Sequence, residues 1–223
     1  MTSEMSNNPE MSYHASAERL NALLRRASID PLGLALAGRF AEYLALLMKW
    51  NARMNLTAIR DEEGILARHF VESIACARDL PEGIATLLDF GSGAGFPGIP
   101  IALCRPEITV TLAESQGKKA AFLQEAVRTL GLSGGVHAGR AESLQAHFDC
   151  VTLRAVDRMP QAIRTAAGLV GPGGRLVLMA TEGALGQFEG LCGVEFSHFE
   201  SHPLPGSETG VLAIAHRRVN SPA

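Results

Sequence analysis

The sequence predicts an α/β fold: a seven-stranded, mostly parallel sheet that ends in an antiparallel hairpin and follows an N-terminal helical segment. Three observations predict it. Up to residue 80 apolar side chains recur at helical spacing. From Pro81 onward short apolar runs alternate with helical stretches, the texture of an open parallel sheet. The last two strand candidates are separated by Pro203-Leu204-Pro205-Gly206, which reads as a hairpin turn. At 223 residues the chain can hold one full α/β domain and an appendage, since domains run about 100 to 200 residues. We divide it into a helical segment, 1–80, and a sheet domain, 81–223.

Residues 1–14, rich in Met, Ser and Asn, read as a frayed start. A short helix is expected over 15–27. A stronger one is expected over 34–51, where Phe40, Tyr43, Leu44, Leu47 and Met48 line one face. A third is expected over 62–78, with Asp61 as its cap. Strands are expected at 86–90, 108–113, 135–138, 148–153, 175–180, 194–201 and 211–216. The helix at 118–130 carries the stripe Phe122, Ala126, Val127 and Leu130 and stops at Gly131. Gly171-Pro172-Gly173-Gly174 marks a further helix-to-strand boundary.

Composition excludes several functions. Hydrophobic residues make up 47% and charged residues 19% of the chain, which suits a buried core rather than a disordered tail. The formal net charge of -3 leaves no global positive field for nucleic acid or anionic lipid, so a polyanionic partner needs a local basic face. The four cysteines, 76, 104, 150 and 192, form no Cys-x-x-Cys pair and cluster with no histidine. They read as buried free thiols, and neither a zinc site nor any other metal is expected. Neither a signal peptide, a transit peptide nor a membrane-spanning run is apparent, and we expect a cytoplasmic monomer.

The stretch that carries chemistry is Leu87-Leu88-Asp89-Phe90-Gly91-Ser92-Gly93-Ala94-Gly95-Phe96-Pro97-Gly98, a strand running into a glycine-rich turn and then a helix. Such a turn lets backbone approach a nucleotide-like ligand beside free helix N–H groups. Gly93 to Gly98 also matches the dinucleotide fingerprint G-x-G-x-x-G. Three readings stand at this point: a methyl-donor loop, a dinucleotide loop, and a purely structural turn. Asp89 followed by glycines 91, 93 and 95, with seven strands and a terminal hairpin, resembles the class I S-adenosylmethionine-dependent methyltransferases, a Rossmann-like fold. Glu114 ends the second strand, where a carboxylate can accept hydrogen bonds from ribose hydroxyls in either nucleotide class.

Lys49-Trp50-Asn51-Ala52-Arg53-Met54-Asn55-Leu56-Thr57-Ala58-Ile59-Arg60, Arg68-His69-Phe70-Val71-Glu72-Ser73, the glycine turn through Pro100, Gly117-Lys118-Lys119 and Gly139-Arg140-Ala141-Glu142 together resemble the RsmG (GidB) family. Its members are bacterial enzymes that methylate N7 of one guanine in 16S ribosomal RNA. The resemblance covers about residues 40–158. It implies S-adenosyl-L-methionine as cofactor, 16S rRNA or the small ribosomal subunit as partner, and Gly91, Gly93, Phe96, Ala141, Glu142 and Arg154 as cofactor contacts. Glu114 joins them by superfamily geometry. Two stretches depart from the family pattern. Glu114-Ser115-Gln116 stands where the family usually has an aspartate and a leucine, and Arg154-Ala155-Val156-Asp157-Arg158 diverges after its first two residues.

Guanine N7 presents a lone pair and carries no proton, so positioning suffices and no general base is expected. After the fourth strand the chain has Leu153-Arg154-Ala155-Val156. Amino-group methyltransferases have Asn/Asp-Pro-Pro-Tyr there, and the Pro-Cys context of C5-pyrimidine enzymes is also missing; mid-strand Cys150 reads as core. Arg154 has three readings: a clamp on the carboxylate of the cofactor's methionine end, an RNA phosphate contact, or a structural pair with Asp157 or Glu142. Candidate RNA contacts are Lys49, Arg53 and Arg60, in a run without acidic residues, and Lys118, Lys119 and Arg128. Any one of these side chains is equally well a solvated helix end. Trp50 and His69 read as packing residues, and Asn51, Asn55 and Thr57 as organisers of a turn. A nicotinamide-dependent oxidoreductase and a binding module without turnover are the competing functions.

Overall fold

The computed structural model describes residues 9–219. Helix α1 (Pro9–Arg26) and helix α2 (Leu34–Met54) are followed by α3 (Glu62–Ile65), a π-helical turn (Leu66–Val71) and α4 (Glu72–Asp79). Then come β1 (Thr86–Phe90), α5 (Gly98–Cys104), β2 (Thr109–Ala113), α6 (Gly117–Leu130), β3 (Gly134–His137), a 3-10 turn (Ala141–Ser143) and β4 (Phe148–Arg154). The chain closes with α7 (Met159–Leu169), β5 (Val170–Thr181), α8 (Glu182–Cys192), β6 (Phe196–Pro203) and β7 (Gly210–Arg217).

The sheet order is β3-β2-β1-β4-β5-β7-β6. The first five strands in chain order are parallel, while β7 runs antiparallel to both β5 and β6. This is the expected doubly wound sheet with its terminal hairpin. Order reverses at β1, between β2 and β4, and the crevice outside the carboxyl ends at such a switch point is where open α/β sheets bind ligands.

Adjacent residues of β1 serve opposite faces: Leu87 packs into the core with α1, α2, α5 and α6, and Leu88 into the core with α7 and α8. The helices of the first 80 residues therefore cover one sheet face together with α5 and α6. Phe40, Tyr43, Leu44 and Leu47 are buried as the periodicity requires. The Asn21 side chain joins α1 to the start of α2, donating to the Leu32 carbonyl at 3.0 Å and accepting from its N–H at 2.8 Å.

Several expectations need correction. The first helix starts at Pro9, so of the presumed frayed start residues 9–14 are helical and residues 1–8 lie outside the described residues. The second continues to Met54, where Asn55 takes the left-handed cap, a conformation its short polar side chain tolerates. Asp61 caps the third by accepting from Gly64 N–H at 2.7 Å, but that helix carries a π turn which spacing does not announce. Gly171 to Gly174 lie inside β5 rather than before it. A five-residue step in β5, from Val170 to Arg175, faces the two-residue step from Phe148 to Cys150 in β4, so the turn residues are absorbed as a bulge. The helix implied before the Gly171 boundary is α7, for which no range is expected, whereas α8 is not expected at all; α8 has Gly183, Gly186 and Gly190, which lower helix propensity.

Cys76, Cys150 and Cys192 are buried free thiols, as expected, while Cys104 is half-buried. Burial pushes the Cys104 thiol up to about 11 and Cys192 to about 12. No helix of the described residues is long and apolar enough to cross a membrane.

Candidate functional site

The glycine turn folds because alternate residues take left-handed backbone: φ is 72° at Gly91, 55° at Gly93 and 93° at Gly95. Gly91 and Ser92 N–H both donate to the Ala113 carbonyl at 3.0 Å, tying the turn to the end of β2. Asp89, 1% exposed, sits beneath it. Its carboxylate accepts from Gly98 N–H at 3.2 Å and from the Thr152 hydroxyl at 2.9 Å. Asp89 thus holds the start of α5 against β4. A Cβ on Gly98 would come within 2.4 Å of Leu112 and 2.7 Å of Asp89 Oδ2, so this glycine serves packing. The literal dinucleotide spacing is thereby explained without a pyrophosphate.

From the other side the turn is held by the helical segment. The Tyr43 hydroxyl donates to the Ala94 carbonyl at 2.6 Å. Phe96 packs against Tyr43 and Phe70 and stacks on His69, with centroids 4.8 Å apart. His69 lies in the π turn and approaches the Thr57 hydroxyl at 2.7 Å through Nε2, while its buried Nδ1 has no protein partner. Burial, then the charges of Arg154 and Arg68, lower its pKa to about 3. The imidazole is neutral.

Between these walls lies a cleft of about 710 Å³, within the range of small-molecule sites. All seven expected cofactor contacts line it: Gly91, Gly93, Phe96, Glu114, Ala141, Glu142 and Arg154. The buried Glu114 carboxylate accepts from Gly93 N–H at 3.0 Å and from Gln116 N–H at 2.7 Å. A carboxylate has about four lone-pair sites, so acceptor capacity remains. A Cβ at Gly93 would meet nothing nearer than the Gly91 carbonyl at 3.8 Å, which leaves open cleft beside it. An acceptor carboxylate beside glycine backbone fits a nucleoside carrying vicinal hydroxyls, such as S-adenosylmethionine.

Of the three readings of Arg154, the structural pair is made with other partners than those named. Neither Asp157 nor Glu142 is its partner; Nη2 reaches Glu72 Oε2 at 2.6 Å and the Arg68 carbonyl at 2.7 Å, and Nη1 reaches Ser73 Oγ at 3.3 Å. Glu72 also accepts from Arg68 Nε at 3.0 Å. The pairing joins the end of β4 to α4, a long-range contact that sequence neighbours could not suggest. Just beyond, Ala155 and Arg158 take positive φ, 48° and 52°, conformations uncommon for residues with a Cβ and concentrated at functional sites.

Of the candidate RNA contacts, Lys49, Arg53, Arg60, Lys118 and Arg128 are exposed, and half-buried Lys119 lines the cleft. Helices α2 and α6 run antiparallel, since Arg39 contacts the Leu130 carbonyl while Trp50 donates to Glu125 at 3.1 Å and meets Phe122 edge-on at 5.8 Å. This brings Lys49 and Arg53 toward the Lys118–Lys119 end. Arg128 lies 10 residues further along α6, about 15 Å away. Arg60 bonds to the Asn55 side chain at 2.5 Å. Trp50 packs as expected, and His69 both packs and lines the cleft. Asn51 organises the turn by accepting from Thr57 N–H at 3.0 Å and donating to the Ile59 carbonyl at 3.3 Å. Arg140 and Arg158 also line the cleft, two cations that lie within the quoted motifs and to which the sequence assigns no role.

Comparison with known proteins agrees with this geometry. Residues 37–196 match the family described as rRNA small subunit methyltransferase G. The ribosomal RNA small subunit methyltransferase G of Stenotrophomonas maltophilia strain R551-3 is 43% identical over 174 residues, 76% of this chain and 81% of that protein. The protein of the same name from Xanthomonas euvesicatoria pv. vesicatoria strain 85-10 is 44% identical over 161 residues, 71% of this chain and 75% of the relative. Among solved structures, a SAM-dependent O-methyltransferase from Thermotoga maritima superposes with a TM-score of 0.57 at 16% identity, covering 79% of this chain and 73% of that one. The 16S rRNA N2 G1207 methyltransferase of Thermus thermophilus, solved with AdoMet and guanosine, gives 0.53 at 15% identity, covering 70% and 41%.

Proposed function

The chain belongs to the rRNA small subunit methyltransferase G family, and from that premise we propose that it transfers a methyl group from S-adenosyl-L-methionine to N7 of one guanine in 16S ribosomal RNA. The observation that carries the reading is the cleft in which glycine backbone and the Glu114 carboxylate face open space, with the basic ends of α2 and α6 beside it. When bound, S-adenosylmethionine supplies an electrophilic methyl on a sulfonium, which an acceptor lone pair takes in line with the departing sulfur.

The chain's own task is positioning. Glu114 would accept from the ribose hydroxyls; Gly91, Gly93 and Phe96 would flank the nucleoside, with Ala141 and Glu142 opposite. Arg154 would reach the methionine end with a guanidinium held in place by Glu72 and Ser73. Among the described residues His69 is the one imidazole lining the cleft, and with a pKa of about 3 it is poorly suited to remove a proton at neutral pH. An acceptor already bearing a free lone pair, such as N7, is compatible with that.

Lys49, Arg53, Lys118 and Lys119 would meet RNA phosphates, with Arg60 and Arg128 at the periphery. We place the enzyme in the cytoplasm as a monomer and keep the division at residue 80 as an appendage rather than a separate unit. Among the described residues the exposed large apolar side chains, Met11, Tyr13, Leu34, Val194 and Val219, fall in four separate segments, which supports a monomer. Incubation with labelled methyl donor and 30S subunits, deproteinised 16S RNA or tRNA tests the activity. Label is expected in 16S RNA from at least one form and not in tRNA; no transfer to any 16S form would overturn the proposal.

A further inference from the structure

We propose that the C-terminal hairpin carries a divalent transition-metal site of the zinc type, built from His198, Glu200 and His216. In β6 the residues at 198, 200 and 202 share one sheet face, because strand side chains alternate. His198 stands directly opposite His216 of β7. One potential ligand atom from each of His198, Glu200 and His216 lies within 4.8 Å of the others. The two imidazole rings meet edge to face with centroids 4.8 Å apart. Glu200 Oε1 lies 2.6 Å from His216 Nε2, and its Oε2 lies 3.7 Å from His202 Nε2.

Two imidazoles and one carboxylate form a donor set for borderline divalent ions, with a fourth position left for His202 or water. A hydrogen bond already holds Glu200 beside His216, and an ion would displace that proton as it joins the two donors to His198. His198 is exposed, which gives an ion an entry path. The cysteine spacing pointed away from zinc, but His198-x-Glu200-x-His202 is a period-2 pattern whose meaning depends on strand pairing.

The site is remote from the cleft. His216 pairs with Arg175, whereas the cleft residue Arg154 pairs with Met179, four residues or about 13 Å along β5. An ion there would not take part in methyl transfer. It would clasp edge strand β6 to β7, its strand partner among the described residues.

Metal-stripped full-length protein titrated calorimetrically with Zn²⁺, and separately with Mg²⁺, tests this. One Zn²⁺ per chain is expected, with a higher unfolding temperature and no Mg²⁺ response. His198→Ala and Glu200→Gln should each weaken Zn²⁺ binding about tenfold or more, while S-adenosylmethionine affinity, unchanged, reports an intact fold. Co²⁺ substitution should give weak visible bands without thiolate charge transfer. Absence of saturable Zn²⁺ binding, unchanged affinity in both variants, or a thiolate spectrum would each overturn the site.

Discussion

At Asp89 burial and hydrogen bonding pull in opposite directions. Desolvation raises its pKa while bonds from Thr152, Ser92 and Gly98 lower it; burial prevails and the carboxyl is pushed up to about 6. A folded pKa above the unfolded value means that the group's contribution to stability is fully present below about 4 and is lost as pH rises through about 6. Relative to Asp89→Asn, the native chain should therefore lose stability, on the order of 3 kcal/mol, between those limits. Urea unfolding of both proteins from pH 4 to pH 7.5 checks this, and a gap constant with pH would contradict it. The Arg154–Glu72 pair obeys a different rule, since removing Arg154 leaves the buried Glu72 carboxylate with exposed Arg68 as its remaining ion partner among the described residues. Arg154→Ala should destabilise by about 3 to 5 kcal/mol, and Arg154→Met with Glu72→Met should recover most of the loss. A denaturant-based double-mutant cycle measures the coupling. Titration of Arg154→Ala with S-adenosylmethionine decides the cofactor role separately: weakened binding is expected, and unchanged affinity would remove Arg154 from the cofactor contacts.

The glycine turn and the N-terminal helices work as one element. Tyr43→Phe deletes the donor to the buried Ala94 carbonyl and should cost about 1 to 3 kcal/mol, accompanied by weaker S-adenosylmethionine binding measured by calorimetry. Gly95→Ala should be worse, because its Cβ would lie 2.4 Å from Ile99 and 2.9 Å from the Tyr43 hydroxyl at a φ of 93°; loss of soluble folded protein is the expected readout. The turn itself was legible, since alternate glycines after a buried strand have few other uses. Its aromatic clamp was not. Tyr43 and Ala94 are 51 residues apart, and no local pattern says which helix face meets which loop. Nor does apolar spacing distinguish a π turn from an α turn, so the placement of His69 against Phe96 needed the fold. The Arg154 partner was hidden for the same reason, while Glu114 was legible because the carboxyl end of the second strand in such a sheet abuts the glycine turn.

Across the molecule, a net charge of -3 coexists with a basic face where the ends of α2 and α6 meet. The charges were countable in the sequence, but their convergence follows from antiparallel packing through Trp50 and Phe122. Replacing Lys49, Arg53 and Lys118 together with alanine should weaken binding to 16S RNA and lower the slope of log affinity against log salt by roughly 2 to 3, at about 0.7 to 0.9 per phosphate contact. Filter binding across a salt series measures it, with S-adenosylmethionine affinity unchanged. The mostly parallel sheet and the terminal hairpin were readable from alternating elements and one Pro/Gly turn; the strand order and α8 were not, the latter because glycine dilutes its helical signal. We propose that this cleft directs methyl transfer to a ring nitrogen needing no base. The most direct test is strand cleavage specific for N7-methylguanine, applied to 16S RNA after incubation with the enzyme and S-adenosylmethionine. One cleavage position, absent without enzyme, is the predicted result; methylated 16S RNA with no N7-dependent cleavage would contradict it.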